Sequence, residues 1–191
     1  MAADKKNAKR LDAHLVFLDE SGFLIIPPVR QTWAPRGETP IHHHRYTREK
    51  VSAISGISVS PRRQQLGLYF DYQTTNYTQN DVCTFLRHLL LHLRQNVIVV
   101  WDNGTIHKGE PIRELCRQFP RLHLESFPPY APELNPDEGV WRQTKRQLSN
   151  SRPDDVHELA AAVLGCLVEL RFSPAKLRAC IKHSDLPFFL C

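Results

Sequence analysis

The positions of three acidic residues constrain the fold of this chain most. Two of them end apolar runs, and the third lies near the start of a predicted helix. Asp19 closes the run HLVFLDES, Asp102 closes NVIVVWDNG, and Glu138 lies in PPYAPELNPDEGVW. Runs of Val, Ile, Leu and Phe without alternation indicate buried strands, and an acid at such an end is exposed where the sheet stops. We therefore expect the three carboxylates to converge at one edge of a sheet.

Carboxylates brought together repel one another, and their pKa values rise unless a cation neutralises them. Oxygen ligands without a Cys or His partner suit Mg²⁺ or Mn²⁺. Pairs of such ions held by acids serve in-line attack on a phosphodiester. The leading hypothesis is a metal-dependent enzyme that cuts or joins nucleic acid.

Each acid also has a purely structural explanation. Asp-Asn-Gly after a strand is a common turn, which accounts for Asp102 alone, and Asp19 alone fits a surface residue at a strand end. Asn135 to Glu138 fits a capping box, in which the glutamate accepts a hydrogen bond from the backbone of Asn135. Only the three acids together favour a metal site.

The adjacent acids Glu20 and Asp137 are not expected to bind the metal, because side chains one apart on a strand face opposite ways. Trp141 is expected in the core, since tryptophan buries a large apolar area.

The periodicity predicts an α/β fold of one domain over residues 1–191, with residues 1–13 as a basic tail. Helices are expected to begin at Asn135 or Pro136 and after a cap at Asp154. The crossover rule places the strand before Asp102 beside the first strand. The predicted strands are 14–19, 23–26, 50–59, 64–73, 97–101 and LHLESF. The predicted helices are DVCTFLRHLLLHLRQ (81–95), 110–118, 135–148, 154–170 and one from Pro174.

Positive charge is concentrated between Arg30 and Arg63, a stretch that contains seven Lys and Arg residues and only two acidic residues. Such clustering suits a phosphate-contacting surface, and Arg45, Arg48 and Lys50 are the predicted DNA contacts. A solvated loop is the alternative. Three consecutive histidines at 42–44 cannot easily point at one ion, so no metal is expected there.

VFLDES, WDNGTIHKG and PPYAPELNPDEGVW together resemble the three signature blocks of the DDE transposases of mariner-type insertion sequences. The blocks run from about residue 14 to residue 148, and 35 residues separate Asp102 from Glu138, a spacing similar to that of the family. The resemblance implies a ribonuclease H-like mixed sheet flanked by helices. It also implies that Asp19, Asp102 and Glu138 bind two Mg²⁺ ions, for which Mn²⁺ may substitute.

The implied activity is cleavage of double-stranded DNA at the element ends, followed by attack of the freed 3′-OH on target DNA.

Asn103 and His107 resemble the family's D-N-x-x-x-H block, which implies a DNA contact or a proton-transfer role for His107; capping or packing is the alternative. Lys145 lies two helical turns after Glu138, and by resemblance contacts DNA there; a solvated lysine is the alternative.

Members of the family usually carry an N-terminal helix-turn-helix region, and here the first strand begins near residue 14. We therefore expect either a separate helix-turn-helix chain as partner, or a remnant. Pairing of two element ends implies a homodimer. The alternatives are a general nuclease of the same fold, or a regulatory DNA-binding fragment without activity of its own.

No apolar stretch reaches the roughly 18 residues that span a bilayer, so no membrane partner is expected. The five cysteines form no C-x-x-C pair, which favours free thiols in a reducing compartment. The expected location is the bacterial cytoplasm, on the nucleoid during action.

Overall fold

The computed structural model of the chain describes residues 11–25, 35–37, 49–149, 151 and 153–186. Its strands are β1 (His14–Leu24), β2 (Lys50–Val59), β3 (Leu66–Gln73), β4 (Val97–Trp101) and β5 (Leu122–Ser126). Its helices are α1 (Gln79–His92), α2 (Glu110–Gln118), α3 (Glu138–Gln147), α4 (Val156–Arg171) and α5 (Pro174–Lys182), with single 3-10 turns at Thr105–His107 and Pro132–Leu134.

The five strands form one mixed sheet in the order β3-β2-β1-β4-β5. The first three strands form an antiparallel meander, whereas β4 runs parallel to β1 and β5 parallel to β4. Within the meander, a short connection joins β2 to β3, whereas residues 25–49 join β1 to β2. Each parallel pair is joined through a helical crossover, as parallel strands require. The prediction that β4 lies beside β1 is confirmed.

Both faces of the sheet are covered, as unbroken apolar strands require. Leu15 and Phe17 of β1 belong to one hydrophobic core, which contains Trp141 of α3 and apolar residues of α4 and α5. Val16 and Leu18 belong to the other, which packs beneath α1 and α2. Alternation along β1 thus assigns every side chain to one of two faces.

Three predicted boundaries differ from the structure. The apolar segments 14–19 and 23–26 are not two strands, because residues 14–24 form the single strand β1. Helix α3 begins at Glu138 rather than at 135 or 136, and the cap of α4 is Asp155 rather than Asp154. The other predicted elements are present within a few residues.

Residues 1–10 of the predicted basic tail lie outside the described residues. Four cysteines are described, and all four are free thiols, as predicted: Cys83, Cys116, Cys166 and Cys180. Within the described ranges, no helix is both long and apolar enough to traverse a bilayer.

Candidate active site

Asp19 lies inside β1, at the point where its parallel neighbour stops. Strand β4 pairs with β1 only as far as Phe17, whereas β2 continues alongside β1 to Leu24. The carboxylate is therefore at the edge of the parallel part of the sheet but within the antiparallel part. The prediction that Asp19 lies at the end of a strand is wrong. Asp19 lies within β1, just beyond the residues that pair with β4, and its backbone still pairs with β2.

The indole of Trp141 holds the Asp19 carboxylate. Its Nε1–H donates to Oδ2 of Asp19 at 3.1 Å, and the ring is 1% exposed. Trp141 is a core residue, as predicted, and its polar edge also reaches the candidate site, which the sequence alone does not indicate.

The pKa of Asp19 is raised to about 7. Burial contributes most, because it disfavours the charged form, and the charges of Glu138, Glu20 and Asp102 add to it. Repulsion among neighbouring carboxylates, as expected from the sequence, therefore adds to the effect of burial.

Asp102 follows directly after β4 and begins the predicted turn. Its Oδ1 accepts a hydrogen bond from the backbone N–H of Gly104 at 2.8 Å, so the Asp-Asn-Gly segment is an Asx turn. A Cβ at position 104 would lie 2.9 Å from that same oxygen, so a side chain there would displace the Asp102 carboxylate. The side chain of Asp102 is nevertheless 63% exposed. The turn explanation and the site explanation therefore both hold for this residue.

His107 lies beneath Asp102 rather than on the surface. Its Nδ1 is 2.8 Å from Oδ1 of Asp102, and its Nε2 is 3.1 Å from Oε1 of Glu20. Burial opposes a charge on the ring, but the hydrogen bond with Glu20 and the charges of Glu20 and Asp102 outweigh it and raise the pKa of His107. The predicted DNA contact finds no support in this placement, because the residue is 5% exposed.

Glu138 is the first residue of α3, and Asn135 places that helix start against β1. The Asn135 side-chain amide donates to the carbonyl of Leu18 at 3.2 Å, and its oxygen accepts from the backbone N–H of Asp137 at 3.1 Å. The capping-box explanation for Glu138 is not realised, because the Asn135 N–H donates to the carbonyl of Pro132 instead. This leaves the Glu138 carboxylate for the cavity.

Asp137 faces the core. It is fully buried, and its Oδ2 accepts a hydrogen bond from the hydroxyl of Ser55 in β2. Its Oδ1 has no hydrogen-bond partner among the described residues. Burial raises the pKa of Asp137 well above its ordinary value, and the Ser55 hydrogen bond only partly offsets this. Asp137 does not line the cavity described next; that it binds no metal stays a prediction.

One open cavity of about 370 Å³ contains all three predicted acids, Asp19, Asp102 and Glu138. Its opposite wall is the segment from Phe127 to Pro132, in which Tyr130 is fully exposed and has φ +56°. The predicted convergence of three distant positions on one cavity is therefore present in the structure.

The donor set fits a hard divalent cation, because carboxylate oxygens are the ligands that Mg²⁺ and Mn²⁺ prefer. The charges of Glu138 and Asp102 add to burial in raising the pKa of Asp19, so the three acids are close enough to interact. In the described part of the chain, however, no three Asp, Glu, His or Cys side chains form a compact ion-binding group. The three acids line the same cavity, but their side chains are not arranged around one common ion position.

The predicted DNA-contacting cations are only partly described. Arg45 and Arg48 lie outside the described residues. The amine of Lys50 donates to the side chain of Asn76. Lys145 is exposed on α3, with its amine 5.9 Å from the ring centroid of Phe23.

A mixed five-stranded sheet with an acidic cavity beside its first and fourth strands defines the class of ribonuclease H-like catalytic domains. The family profile described as DDE superfamily endonuclease matches residues 14–160. The chain belongs to this superfamily, and the predicted family is confirmed. A search of curated protein sequences gave no significant match.

Solved structures with the same fold include Mos1 mariner transposase. Its paired-end complex with Mn has 16% identity, covers 98% of this chain and 61% of its own chain, and gives a TM-score of 0.59. The paired-end complex with Mg has 17% identity over 98% of this chain and 61% of its own chain, with a TM-score of 0.57. The Mos1 catalytic domain gives 14% identity, 97% and 94% coverage, and a TM-score of 0.50. The chain thus spans about three fifths of the Mos1 chain in the two complexes.

Proposed function

We propose that this chain is the catalytic domain of a transposase, which cleaves DNA strands at the ends of an insertion sequence and joins the freed 3′-OH to target DNA. The carrying observation is that Asp19, Asp102 and Glu138 line one cavity in a domain of the DDE endonuclease superfamily. Three acids from β1, the end of β4 and the start of α3 have no shared structural role that would bring them together.

Asp19, Asp102 and Glu138 would hold two Mg²⁺ ions, which Mn²⁺ can replace, and the titles of the Mos1 complexes name both metals. The ions, when bound, lower the pKa of the attacking water and stabilise charge on the phosphate and the departing 3′ oxygen. The chain's own contribution is to fix the acids: the Trp141 indole donates a hydrogen bond to Asp19, and the backbone N–H of Gly104 donates one to Asp102.

The partner that this chemistry needs is double-stranded DNA, both as element ends and as target. Lys145 lies exposed on the helix that begins with Glu138, which supports the proposal that it contacts a phosphate near the cavity. Lys50, Arg45 and Arg48 stay predictions as further contacts. A homodimer, a separate helix-turn-helix chain, and a bacterial cytoplasmic location on the nucleoid also stay predictions.

The first test is Mn²⁺-dependent nicking of a supercoiled plasmid, with and without element end sequences. The intact protein should nick, and Asp102→Asn should reduce the rate by a factor of about 10³ or more, since it removes a ligand charge. Asp154→Asn, an exposed acid at the start of α4, is the matched control and should retain the rate.

Dependence on the end sequences would support transposition, whereas equal nicking of random DNA would favour the general nuclease. DNA binding without nicking by the intact protein would favour the regulatory fragment and overturn the proposed activity.

A further inference from the structure

Two acids adjacent in sequence lie on opposite sides of the sheet. Asp19 faces α3 through its hydrogen bond with Trp141, whereas Glu20 faces His107 in the 3-10 turn after β4. We call Glu20, Trp101 and His107 the support cluster. None of these three residues lines the cavity.

Both nitrogens and one face of the His107 ring are in contact with neighbouring side chains. Nδ1 lies 2.8 Å from the Oδ1 of Asp102, and Nε2 lies 3.1 and 3.2 Å from the two carboxylate oxygens of Glu20. The ring stacks on Trp101 at 4.3 Å between centroids and 4° between planes. The side chain of His107 is 2% exposed. No polar atom of the ring is therefore left to reach a phosphate.

The contact acts on only one oxygen of Asp102. Oδ1 accepts a hydrogen bond from the backbone N–H of Gly104. The His107 ring bonds to the backbone carbonyl of Asp102 at 3.2 Å through Nδ1 and lies 2.8 Å from Oδ1, close enough to attract that oxygen by charge. The described residues provide Oδ2 with no hydrogen bond, and the side chain lines the cavity. A largely exposed aspartate would otherwise sample several rotamers, and the Gly104 hydrogen bond and the nearby His107 ring both favour the observed one.

We propose that His107, anchored by Glu20, is a positioning residue that fixes the Asp102 carboxylate for divalent-cation binding. The inference rests on the proposed function. Partners that hold a ligand from behind typically change metal affinity or activity by 10- to 100-fold when removed. Glu20 is then not a ligand but the residue that keeps the His107 ring in place.

The test measures Mn²⁺ binding directly, by electron paramagnetic resonance titration of the full chain without DNA. His107→Phe keeps a ring against Trp101 and removes both nitrogens. Glu20→Ala removes the anchor, and Glu20→Gln retains an acceptor for Nε2. His123→Phe is the matched control, since His123 is a partly buried histidine in β5 whose Nε2 has no partner among the described residues.

We expect His107→Phe and Glu20→Ala to weaken Mn²⁺ binding by about tenfold or more. Glu20→Gln should stay within about threefold of the intact protein, and His123→Phe should match it. In nicking assays, the Mn²⁺ concentration for half-maximal rate should rise in parallel, while the DNA concentration for half-maximal rate stays unchanged.

Unchanged Mn²⁺ affinity in His107→Phe and Glu20→Ala would overturn the positioning role alone. Weaker DNA binding at unchanged Mn²⁺ affinity would also overturn it and make His107 a DNA contact. Should His107→Phe not fold, Glu20→Ala against Glu20→Gln decides the question, because Glu20 is partly exposed. An intact protein that binds no Mn²⁺ would overturn the proposed function, and this inference with it.

Discussion

Trp141 links the hydrophobic core to the cavity at the scale of a single residue. Its ring packs edge-on against Phe23, with centroids 5.9 Å apart, while its N–H holds Asp19. A buried tryptophan N–H usually needs an acceptor, and here the acceptor is a cavity acid. One side chain therefore contributes to both stability and site geometry, and the two contributions are separable by substitution.

Replacing Trp141 with Phe should reduce the nicking rate by about tenfold, because Asp19 loses its donor. The variant should also lower the free energy of unfolding by about 1–3 kcal/mol, since a smaller ring leaves a cavity. Phe23→Leu is the control, because it trims the same core and leaves the Asp19 hydrogen bond intact. Nicking rates and urea unfolding measure both effects. Equal losses of nicking in the two variants would contradict a role for the indole N–H.

Asp137 should make the metal-free protein less stable as pH rises. The unfolded carboxyl ionises near pH 4, whereas burial raises the pKa of the folded one well above its ordinary value. The folded chain therefore keeps a proton that the unfolded chain releases, and stability falls with rising pH across that window. The slope from one such group is at most about 1.4 kcal/mol per pH unit.

Asp137→Asn removes this titration and keeps an acceptor for Ser55. In urea unfolding with EDTA from pH 5 to 8, any stability advantage of the intact protein over the variant should shrink as pH rises. A difference that stays constant over this range would show that Asp137 does not titrate differently in the folded state.

The helix starts show where local signals determine an element and where tertiary contacts override them. Thr78 and Asp81 form the complete capping box of α1, and such a box is recognisable from sequence. Asn135 carries the same type of signal for α3, but its side chain is engaged with the Leu18 carbonyl across the molecule. The helix begins at Glu138, two residues after the predicted first helical residue Pro136, and Asn135 connects β1 with the start of α3.

Helix α4 offers a matched pair for testing a cap. The carboxylate of Asp155 accepts from the backbone N–H groups of His157 and Glu158, both at 2.8 Å, whereas Asp154 contributes only its backbone N–H nearby. Asp155→Ala should lower Tm by about 2–4 °C, and Asp154→Ala should leave it nearly unchanged. Calorimetry measures both. A larger loss in Asp154→Ala would reassign the cap. Nicking should be unaffected in either variant.

At the scale of the whole molecule, the sequence predicts the order of elements better than the contacts between them. Unbroken apolar runs and the crossover rule suffice to place β4 beside β1, and so to bring Asp19 near Asp102. The donors that hold these acids come from α3 and from the turn after β4, on opposite faces of the sheet. Periodicity assigns a residue to a face but does not specify which polar atom it meets there, so the roles of Trp141 and Glu20 required the structure.

The continuation of β1 beyond Asp19 bears on how this chain tolerates changes in length. Five further residues, 20–24, pair with β2, and at about 3.4 Å per residue they carry the chain roughly 17 Å past the acid. The segment between residues 25 and 49 therefore leaves and re-enters the sheet at the far end of β1 and β2, where the backbone N–H of Ile25 donates to the carbonyl of Glu49. We expect changes in length between residues 26 and 44, a range that excludes the predicted DNA contacts Arg45 and Arg48, to leave the position of Asp19 unchanged.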